Sequence, residues 1–435
     1  MMSWRQPPPP TMQYELRTSA KIWAASAGML VFALVYLVLA ASQFLASHCS
    51  AASNATLLRR AVSLDPGNAE YPYRLGHFEL LAGQAPQAAL PWLQSATRLN
   101  PYAAKYWVDL AVARQALGDS EGEAQALARA LAAGPRTPAI AWEAANLYLA
   151  QGSTEAAMKQ FRTVLENDPR LTFPAMNTCW KIRPEVDYLL ANVVPPKAYP
   201  DFLEFLISKD QAQASAEVWE HMVSMRQTVE RRYLLGYLNY LITHHQPEQA
   251  GRVWRQGVGL SGLEAYQSSP ENLIINGDFS LEILNGGFDW THYKVPGVGL
   301  GLDPSETHSS GRSLRIVLDG PGITDAGIRQ VVPVEPHTSY QVSAFYKAQD
   351  MDGAGAMKLM VQDFYRETPL FLSDDLGNAD FWRQTGGAFT TGADTRLVVV
   401  RIARVPAGSP IRGKLWVDGL QLKAVEGKAG QKETQ

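Results

Sequence analysis

The chain has little of what most ligand chemistry requires. Its 435 residues include two cysteines, Cys49 and Cys179, which form no disulfide framework; free thiols are favoured over a single disulfide between them. The formal net charge is −3 and no run of five or six like charges occurs, so we expect no nucleic-acid partner. With 46% hydrophobic residues, the composition is otherwise ordinary for a globular protein of two or three domains.

Catalytic motifs are missing as well. No H-E-x-x-H, G-x-S-x-G or paired C-x-x-C occurs, and the adjacent His244 and His245 cannot face one metal from a helix. Residues 257–262 match G-x-G-x-x-G, but they follow a predicted helix instead of a strand, and we interpret them as a flexible joint. We therefore predict that the protein is not an enzyme. A glycosidase stays a lower-ranked alternative, because it needs only two carboxylates across a cleft.

One uncharged segment, Ile22 to Ala46, runs for 25 residues with only three polar side chains. A membrane-spanning helix needs about 20 apolar residues, whereas a signal peptide usually has about 7 to 15, so an anchor is favoured over a cleaved signal. Basic residues precede the segment, which favours a cytoplasmic N-terminus. We predict a cytoplasmic tail at 1–21 and a transmembrane helix at 22–46 in a bacterial inner membrane, with the later domains periplasmic or extracellular.

Prolines recur in the next part of the chain at a nearly constant spacing. They lie 35, 34 and 34 residues apart, at Pro66, Pro101, Pro135 and Pro169. Each proline closes a stretch with the apolar periodicity of helices, and a glycine (Gly83, Gly118 or Gly152) interrupts each of the three stretches between successive prolines. Each of these three units is therefore predicted to be two helices joined by a turn. Equivalent second-helix positions carry apolar residues that we expect in the core, namely Leu93, Leu127 and Phe161.

This pattern resembles the tetratricopeptide repeat. The family signature is met in part, by Trp107, Leu110, Gly118, Leu127, Ala130 and Pro135. The resemblance implies a helical array at 51–257, degenerate after residue 169, whose concave groove binds protein partners. The competing interpretation is that the array only spaces the next domain from the bilayer. Trp92, Trp107 and Trp142 recur at helical spacing, and we expect them in the core between repeats.

The composition changes after Gln256. A linker rich in Gly and Ser is predicted at 258–270, followed by short β-branched and aromatic runs at 271–425 and a disordered tail at 426–435. The candidate strands are 313–318, 327–333, 339–348, 357–364, 397–405 and 414–423. Their closure into two sheets predicts an all-β jelly roll.

Both ends of this region carry a family resemblance. Asn272–Phe279, Phe288–Trp290 and Leu415–Leu422 look like the bracketing motifs of a carbohydrate-binding module of the galactose-binding-like jelly-roll group. The resemblance implies a glycan or polysaccharide ligand, held by aromatic rings stacked on sugar rings and by polar side chains. The predicted glycan-binding residues are Trp290, Tyr293, Phe345, Gln362 and Trp382. For the two tryptophans, a place in the core is the competing interpretation.

Two further expectations concern the same domain. Alternation along residues 340–347 places Phe345 on the more polar face of a strand, where a ligand would lie, together with Gln341, Ser343 and Lys347. The family resemblance also implies a structural calcium ion held by Asp278 and Asp418. Ser280 stands where the family commonly has an acidic residue, and this departure weakens the calcium prediction.

The predicted fold class is therefore a multidomain α plus all-β protein: a single transmembrane helix, a solenoid of tetratricopeptide-like repeats, then a β-sandwich jelly roll. Such a chain would be a membrane-anchored, non-catalytic binding and scaffold protein. We expect glycan to bind the jelly roll and protein partners to bind the repeats, as in the handling of surface polysaccharide. The alternative is a pure protein-interaction scaffold whose sandwich does not bind sugar.

Overall fold

The computed structural model describes residues 19–51, 54–309, 311–320 and 322–425. These residues form an apolar N-terminal helix, a run of paired helices and a two-sheet β domain, so the predicted fold class is confirmed. The chain divides into two compact units, residues 1–195 and 196–435. Most of the predicted tail at 1–21, and all of the predicted tail at 426–435, lies outside the described residues.

The first helix, α1 (Ser19–Ser50), is long and apolar enough to cross a membrane. At about 1.5 Å per residue its 32 residues extend for about 48 Å, against about 30 Å for a bilayer core. Large side chains along it, including Trp23, Phe32 and Phe44, are more than 70% exposed. A signal sequence near the N-terminus would pass the same test of length and composition.

The end of α1 packs directly on the repeats. Ala46 is fully buried in a cluster with Ala61 and Tyr71. The guanidinium Nη1 of Arg74 donates to the carbonyl O of Ser50 at 3.1 Å, which satisfies one of the carbonyl groups left free at the end of a helix. The apolar helix is therefore joined to the array by packed side chains.

Paired helices build the rest of the first unit: α2 (Ala55–Leu64), α3 (Glu70–Leu81), α4 (Pro86–Leu99), α5 (Ala104–Ala116), α6 (Ser120–Ala133), α7 (Pro138–Ala150), α8 (Thr154–Asn167), α9 (Thr172–Ile182) and α10 (Val186–Asn192). The predicted core residues Leu93, Leu127 and Phe161 are at most 1% exposed, which confirms that prediction. At Gly76 a Cβ would lie 2.6 Å from Leu93 Cγ, so this helix pair requires a glycine. The three tryptophans expected in the core are only half-buried.

Four helices open the second unit: α11 (Tyr199–Ser208), α12 (Ala212–Ser224), α13 (Arg231–Thr243) and α14 (Pro247–Leu260). The expected flexible joint at 257–262 is corrected here, because its first four residues belong to α14. A Cβ at Gly257 would lie 2.3 Å from Leu234 Cδ1, so this glycine permits close packing of α13 against α14. Val258 beside it is fully buried.

The β domain has ten strands among the described residues: β1 (Trp290–His292), β2 (Val298–Asp303), β3 (Ser313–Gly320), β4 (Asp325–Pro333), β5 (Ser339–Asp352), β6 (Ala356–Asp363), β7 (Pro369–Leu372), β8 (Ala379–Thr390), β9 (Leu397–Val405) and β10 (Ile411–Ala424). They form two antiparallel five-stranded sheets. The first sheet has the order β1-β4-β9-β6-β7 and the second has β2-β3-β10-β5-β8.

All six predicted strands are present, with bounds shifted by a few residues. The four strands that the sequence did not reveal are β1, β2, β7 and β8, and each lies at the edge of a sheet. Edge strands have one unpaired side and tolerate glycine and polar residues, so their apolar pattern is weak. Glycines alternate in β2 (Gly299, Gly301) and are adjacent in β8 (Gly386, Gly387).

The core lies between the two sheets. Inward residues such as Val342, Leu359, Val400 and Leu415 are fully buried in one cluster. Along β5 every second residue from Tyr340 to Ala348 is buried and the residues between are half-exposed, which confirms the predicted alternation. Each sheet therefore has an outer face that points away from this core.

Helices α13 and α14 pack against the sandwich within the second unit. The indole of Trp254 meets Phe288 edge to face at 5.9 Å. The ring of His245 stacks on Tyr365 at 4.3 Å, and the Tyr365 hydroxyl donates to the Ile242 carbonyl O at 2.9 Å. These contacts place a groove between α14 and the sandwich.

Candidate functional site

The five predicted glycan-binding residues lie in three different places. Trp290 is 2% exposed in the core, and its indole Nε1 donates to the Asn276 carbonyl O at 3.0 Å. Tyr293 and Gln362 belong to the outer face of the first sheet. Phe345 and Trp382 belong to the outer face of the second sheet. Since packed sheets lie about 10 Å apart with side chains filling the gap, one sugar cannot contact both pairs.

Arg401 is the centre of the surface on the first sheet. Its Nη2 donates to Gln362 Oε1 at 2.9 Å, and its Nη1 donates to Asp325 Oδ2 at 3.2 Å. The Tyr293 hydroxyl lies 2.5 and 2.6 Å from the two oxygens of the same Asp325 carboxylate. We call Tyr293, Asp325, Gln362 and Arg401 the arginine network. Strand β9 presents Arg401 outward because the residues on either side of it point into the core.

The arginine network is satisfied largely by its own members. Burial, and then the Asp325 carboxylate, raise the pKa of Tyr293 to about 12, so its hydroxyl stays a hydrogen-bond donor at neutral pH. Arg401 Nε is buried and has no hydrogen-bond partner among the described residues. Tyr293 is 45% exposed and is the most accessible member. The network could hydrogen-bond a hydroxyl-bearing ligand only by exchanging contacts that it already makes.

Three aromatic rings meet on the outer face of the second sheet. His308, from the loop between β2 and β3, lies flat on Phe345 with ring centroids 3.6 Å apart and planes 14° from parallel. Trp382 meets His308 edge to face, at 5.8 Å and 64°. His308 is exposed and the other two rings are half-exposed. We call His308, Phe345 and Trp382 the aromatic cluster.

Polar side chains surround the aromatic cluster. Gln384 in β8 lies opposite Phe345 in the ladder between β5 and β8 and is exposed. Ser343 precedes Phe345 by two residues on the same face of β5 and is half-exposed. The cluster therefore combines ring faces with an amide and a hydroxyl, which are the groups that a sugar ring requires.

Asp418 holds the loop that carries His308. Its Oδ2 accepts hydrogen bonds from the backbone N–H groups of His308 at 2.7 Å and Ser309 at 2.9 Å. Its Oδ1 accepts from the Ser309 hydroxyl and from the Gly419 N–H. Asp418 is fully buried and lies opposite Phe345 in the ladder between β10 and β5, so the loop is fixed above that ring.

Asp278 and Asp418 do not fit the predicted calcium ion. Both Asp418 oxygens accept hydrogen bonds from N–H and O–H donors, which a cation would have to displace. Oδ1 of Asp278 accepts from the backbone N–H and the hydroxyl of Ser280, at 3.2 and 2.9 Å. Across the described ranges, no group of three or more His, Cys, Asp and Glu side chains could hold a metal.

A further set of polar contacts lines the helical repeats. Glu70 in α3 accepts hydrogen bonds from Lys105 Nζ at 3.0 Å and the Tyr106 hydroxyl at 2.9 Å. Asp109 Oδ2 lies 2.6 Å from His77 Nδ1. A cavity of about 260 Å³ beside Asp109 is lined by Lys105, Val108, Ile140, Trp142 and Glu143, among others. Burial, and then the charge of Asp109, raise the pKa of Glu143.

Sequence reasoning did not identify His308, Arg401 or Asp325. His308 lies in a loop, and no local pattern places it above a strand that follows it by about forty residues. Arg401 did leave a signal, because it is a charged residue inside the apolar strand LVVVRIARV. A charge in such a strand must find partners, and here they are Asp325 and Gln362.

Known proteins resemble parts of this chain. No family model and no curated protein matches it. A CBM4 carbohydrate-binding module aligns with 35% of this chain and 99% of its own, at 17% identity and a TM-score of 0.28. MamA, a tetratricopeptide-repeat protein, aligns over 40% and 94%, at 16% identity and 0.31. The type III secretion translocator chaperone SycD of Yersinia enterocolitica aligns over 27% and 92%, at 18% identity and 0.25. At these sequence identities and TM-scores, the similarity carries no information about the ligands of this chain.

Proposed function

We propose that this chain is a membrane-anchored, non-catalytic binding and scaffold protein whose sandwich binds glycan and whose helical repeats bind protein partners. The observation that supports glycan binding is the partly exposed aromatic cluster on the second sheet. Helix α1 supplies the anchor, and the later domains lie on the periplasmic or extracellular side of a bacterial inner membrane. Handling of surface polysaccharide would use both binding surfaces and the anchor.

The aromatic cluster is the better sugar surface of the two outer faces. A sugar ring binds when its C–H bonds meet an aromatic face while side chains hydrogen-bond its hydroxyls. The side chains of Gln384 and Ser343 have no hydrogen-bond partner among the described residues, so they are free to bind a hydroxyl. The arginine network would first have to give up its internal bonds. The site would therefore comprise the aromatic cluster of His308, Phe345 and Trp382 together with Gln384 and Ser343.

The repeats supply a surface with both charge and apolar area for a protein partner. Lys105, Asp109 and Glu143 line one cavity with the half-exposed Trp142. The Glu143 carboxylate has no hydrogen-bond partner within the described part of the chain, so it can receive a donor from a partner. Of the three charged side chains, Lys105 is held by Glu70 and Asp109 by His77, so Glu143 is the one left to pair with a partner beside Trp142. Tryptophan is enriched among the residues that dominate protein interfaces.

A pure protein-interaction scaffold is the second candidate. The observation that favours it is that His308 already covers one face of Phe345, as a sugar would. In this candidate the aromatic cluster is internal packing of a loop, and the sandwich offers only polypeptide-binding surface. The two candidate functions differ in whether the purified chain binds any added saccharide.

Glycan binding is tested by affinity electrophoresis of the full chain in detergent, on gels that contain soluble polysaccharides, and by a glycan array. We expect retardation on at least one polysaccharide and its loss in Trp382→Ala. Loss of one sugar-stacking ring should weaken binding by about ten-fold or more, equivalent to roughly 1 to 2 kcal/mol. The matched control is Phe381→Ala, since Phe381 directly precedes Trp382 in β8 and is 84% exposed.

Three results are informative. Loss in Trp382→Ala with retention in Phe381→Ala supports the aromatic cluster. If Arg401→Gln abolishes retardation and Trp382→Ala does not, the chain binds glycan at the arginine network on the first sheet instead of at the aromatic cluster. No retention of any saccharide by the wild-type chain would leave the pure scaffold as the function.

The proposed topology has its own test. Protease added to intact cells and to opened spheroplasts should cut the sandwich only after the outer barrier is opened, or in both if the domain is surface-exposed. Protection in both preparations would place the domain in the cytoplasm and count against an extracytoplasmic glycan.

A further inference from the structure

A groove of about 550 Å³ runs between α14 and the sandwich, away from both outer-face surfaces. Its volume is in the range of ligand sites, roughly 300 to 1,000 Å³, and such sites are common where two structural layers meet. One wall is α14 and the other is formed by the ends of β4, β5 and β10. The floor is apolar and consists mainly of Trp254, Leu273, Ile275, Phe288, Pro333 and Val334.

Positive charge on the rim of this groove is not balanced by the chain itself. Arg252 and Arg255 lie one turn apart on the exposed side of α14, and neither forms an ion pair among the described residues. On the facing wall, Arg396 Nε donates to Glu248 Oε1 at 3.0 Å. The Nη1 of Arg396 is buried and has no hydrogen-bond partner in the part of the chain that the structure describes.

A buried guanidinium nitrogen without an acceptor is unfavourable, and a carboxylate would satisfy it. Glu335 is the other acid on the rim and is exposed, so two acids face three arginines. With Glu248 engaged by Arg396, the groove offers a net excess of unpaired donors. An incoming ligand should therefore be anionic.

The floor decides between an acidic sugar and an acidic peptide. Sugars require exposed aromatic faces and polar partners for each hydroxyl. Here the aromatic floor residues Trp254 and Phe288 are at most 4% exposed, and the Trp254 indole N–H already donates to the Tyr266 carbonyl O. Tyr340, which also lines the groove, is 2% exposed, and its hydroxyl accepts from the Glu335 N–H. The other apolar lining residues are aliphatic or proline, which suits the side chains of a peptide.

We propose that this groove binds an acidic peptide segment of a partner protein, with carboxylates on Arg252, Arg255 and Arg396 and an apolar side chain on the floor between them. This proposal does not depend on glycan binding by the aromatic cluster. It gives the scaffold a second protein-binding surface, placed where the helices meet the sandwich.

The test uses fluorescence anisotropy with the full chain in zwitterionic detergent and a labelled seven-residue peptide of alternating glutamate and leucine. We expect saturable binding that weakens with added salt and is at least about ten-fold weaker for the matched peptide of glutamine and leucine. In Arg252→Gln/Arg255→Gln the affinity for the acidic peptide should fall by about ten-fold or more. Glutamine keeps the helical propensity of these exposed positions, so folding should be unaffected.

The control variant is Arg383→Gln/Arg412→Gln, which removes two exposed arginines from the second sheet. Unchanged binding in this control supports the groove. Equal binding of the two peptides, or equal loss in both double variants, would overturn the proposal. Displacement of the peptide by an oligogalacturonate, at a concentration where neutral oligosaccharide has no effect, would assign the groove to acidic sugar and also overturn it.

Discussion

Asp289 should make the stability of the sandwich depend on pH. Asp289 directly precedes β1, and its side chain is fully buried. Oδ2 accepts a hydrogen bond from the Leu284 N–H at 2.7 Å, whereas Oδ1 is buried and has no partner among the described residues. Burial raises the pKa of this carboxyl to about 6, from an ordinary value of 3.8. The folded domain therefore binds a proton more readily than the unfolded chain does.

The sign and size of the effect follow from that difference. A pKa that is raised on folding contributes stability that is fully present below the unfolded pKa of 3.8 and is lost as the pH rises through about 6. The difference between a pKa of about 6 and one of 3.8 corresponds to roughly 3 kcal/mol of folding free energy. For a domain whose total stability is about 5 to 15 kcal/mol, this term is large.

The perturbation is Asp289→Asn, which has the same shape and does not titrate. Hydrogen exchange of core amides in β9, such as Val400, reports the free energy of opening the sandwich in the intact chain. Comparing variant with wild type at the same pH cancels the intrinsic pH dependence of exchange. Between pH 4 and 7.5 we expect the protection of the variant, relative to wild type, to rise by about 100-fold. A ratio that is flat across this range would refute a buried, titrating Asp289.

Other predictions concern the loop, the repeats and calcium. Asp418→Ala should leave its N–H and O–H donors unpaired, lower stability by about 1 to 3 kcal/mol or more, and open residues 304–309 to limited proteolysis; an unchanged cleavage pattern would contradict the anchoring role. Gly76→Ala should destabilise the first helix pair by about 1 to 3 kcal/mol through overlap with Leu93, whereas Gly236→Ala, where nothing lies within 4 Å, should stabilise by about 0.5 to 1 kcal/mol. Calcium and chelator should give the same melting temperature, because the Asp418 oxygens are already hydrogen-bonded.

Much of the architecture could be predicted because its causes are local. The apolar length of Ile22–Ala46 is a property of one segment, and a period of 34 residues is visible without any contact. Inner strands were identified because burial on both sides demands continuous or alternating apolar residues. Edge strands such as β2 and β8 were not identified from the sequence. A strand with no neighbour on one side can contain glycine and polar residues, so its apolar pattern is weak.

The binding surfaces were harder to predict because each joins residues that are distant in sequence. Phe345 and Gln362 were assigned to one polar site, yet they point out of opposite sheets. Which sheet a strand enters is decided by pairing with strands elsewhere in the chain, and a sequence pattern of period two does not distinguish the sheets. His308 reaches Phe345 only because Asp418, more than a hundred residues later, binds its loop.

The sequence by itself determined the order of the parts: an apolar helix, paired helices with small residues at their contacts, and a sandwich bracketed by its terminal motifs. These features depend on the chemistry of neighbouring residues along the chain. Only the tertiary structure decided which aromatic rings stay accessible to solvent. It also decided that Asp325 and Gln362 accept hydrogen bonds from Arg401, and that α14 forms one wall of an arginine-rimmed groove. Accessibility and charge balance are properties of packed surfaces, so they exist only once the sheets and helices have met.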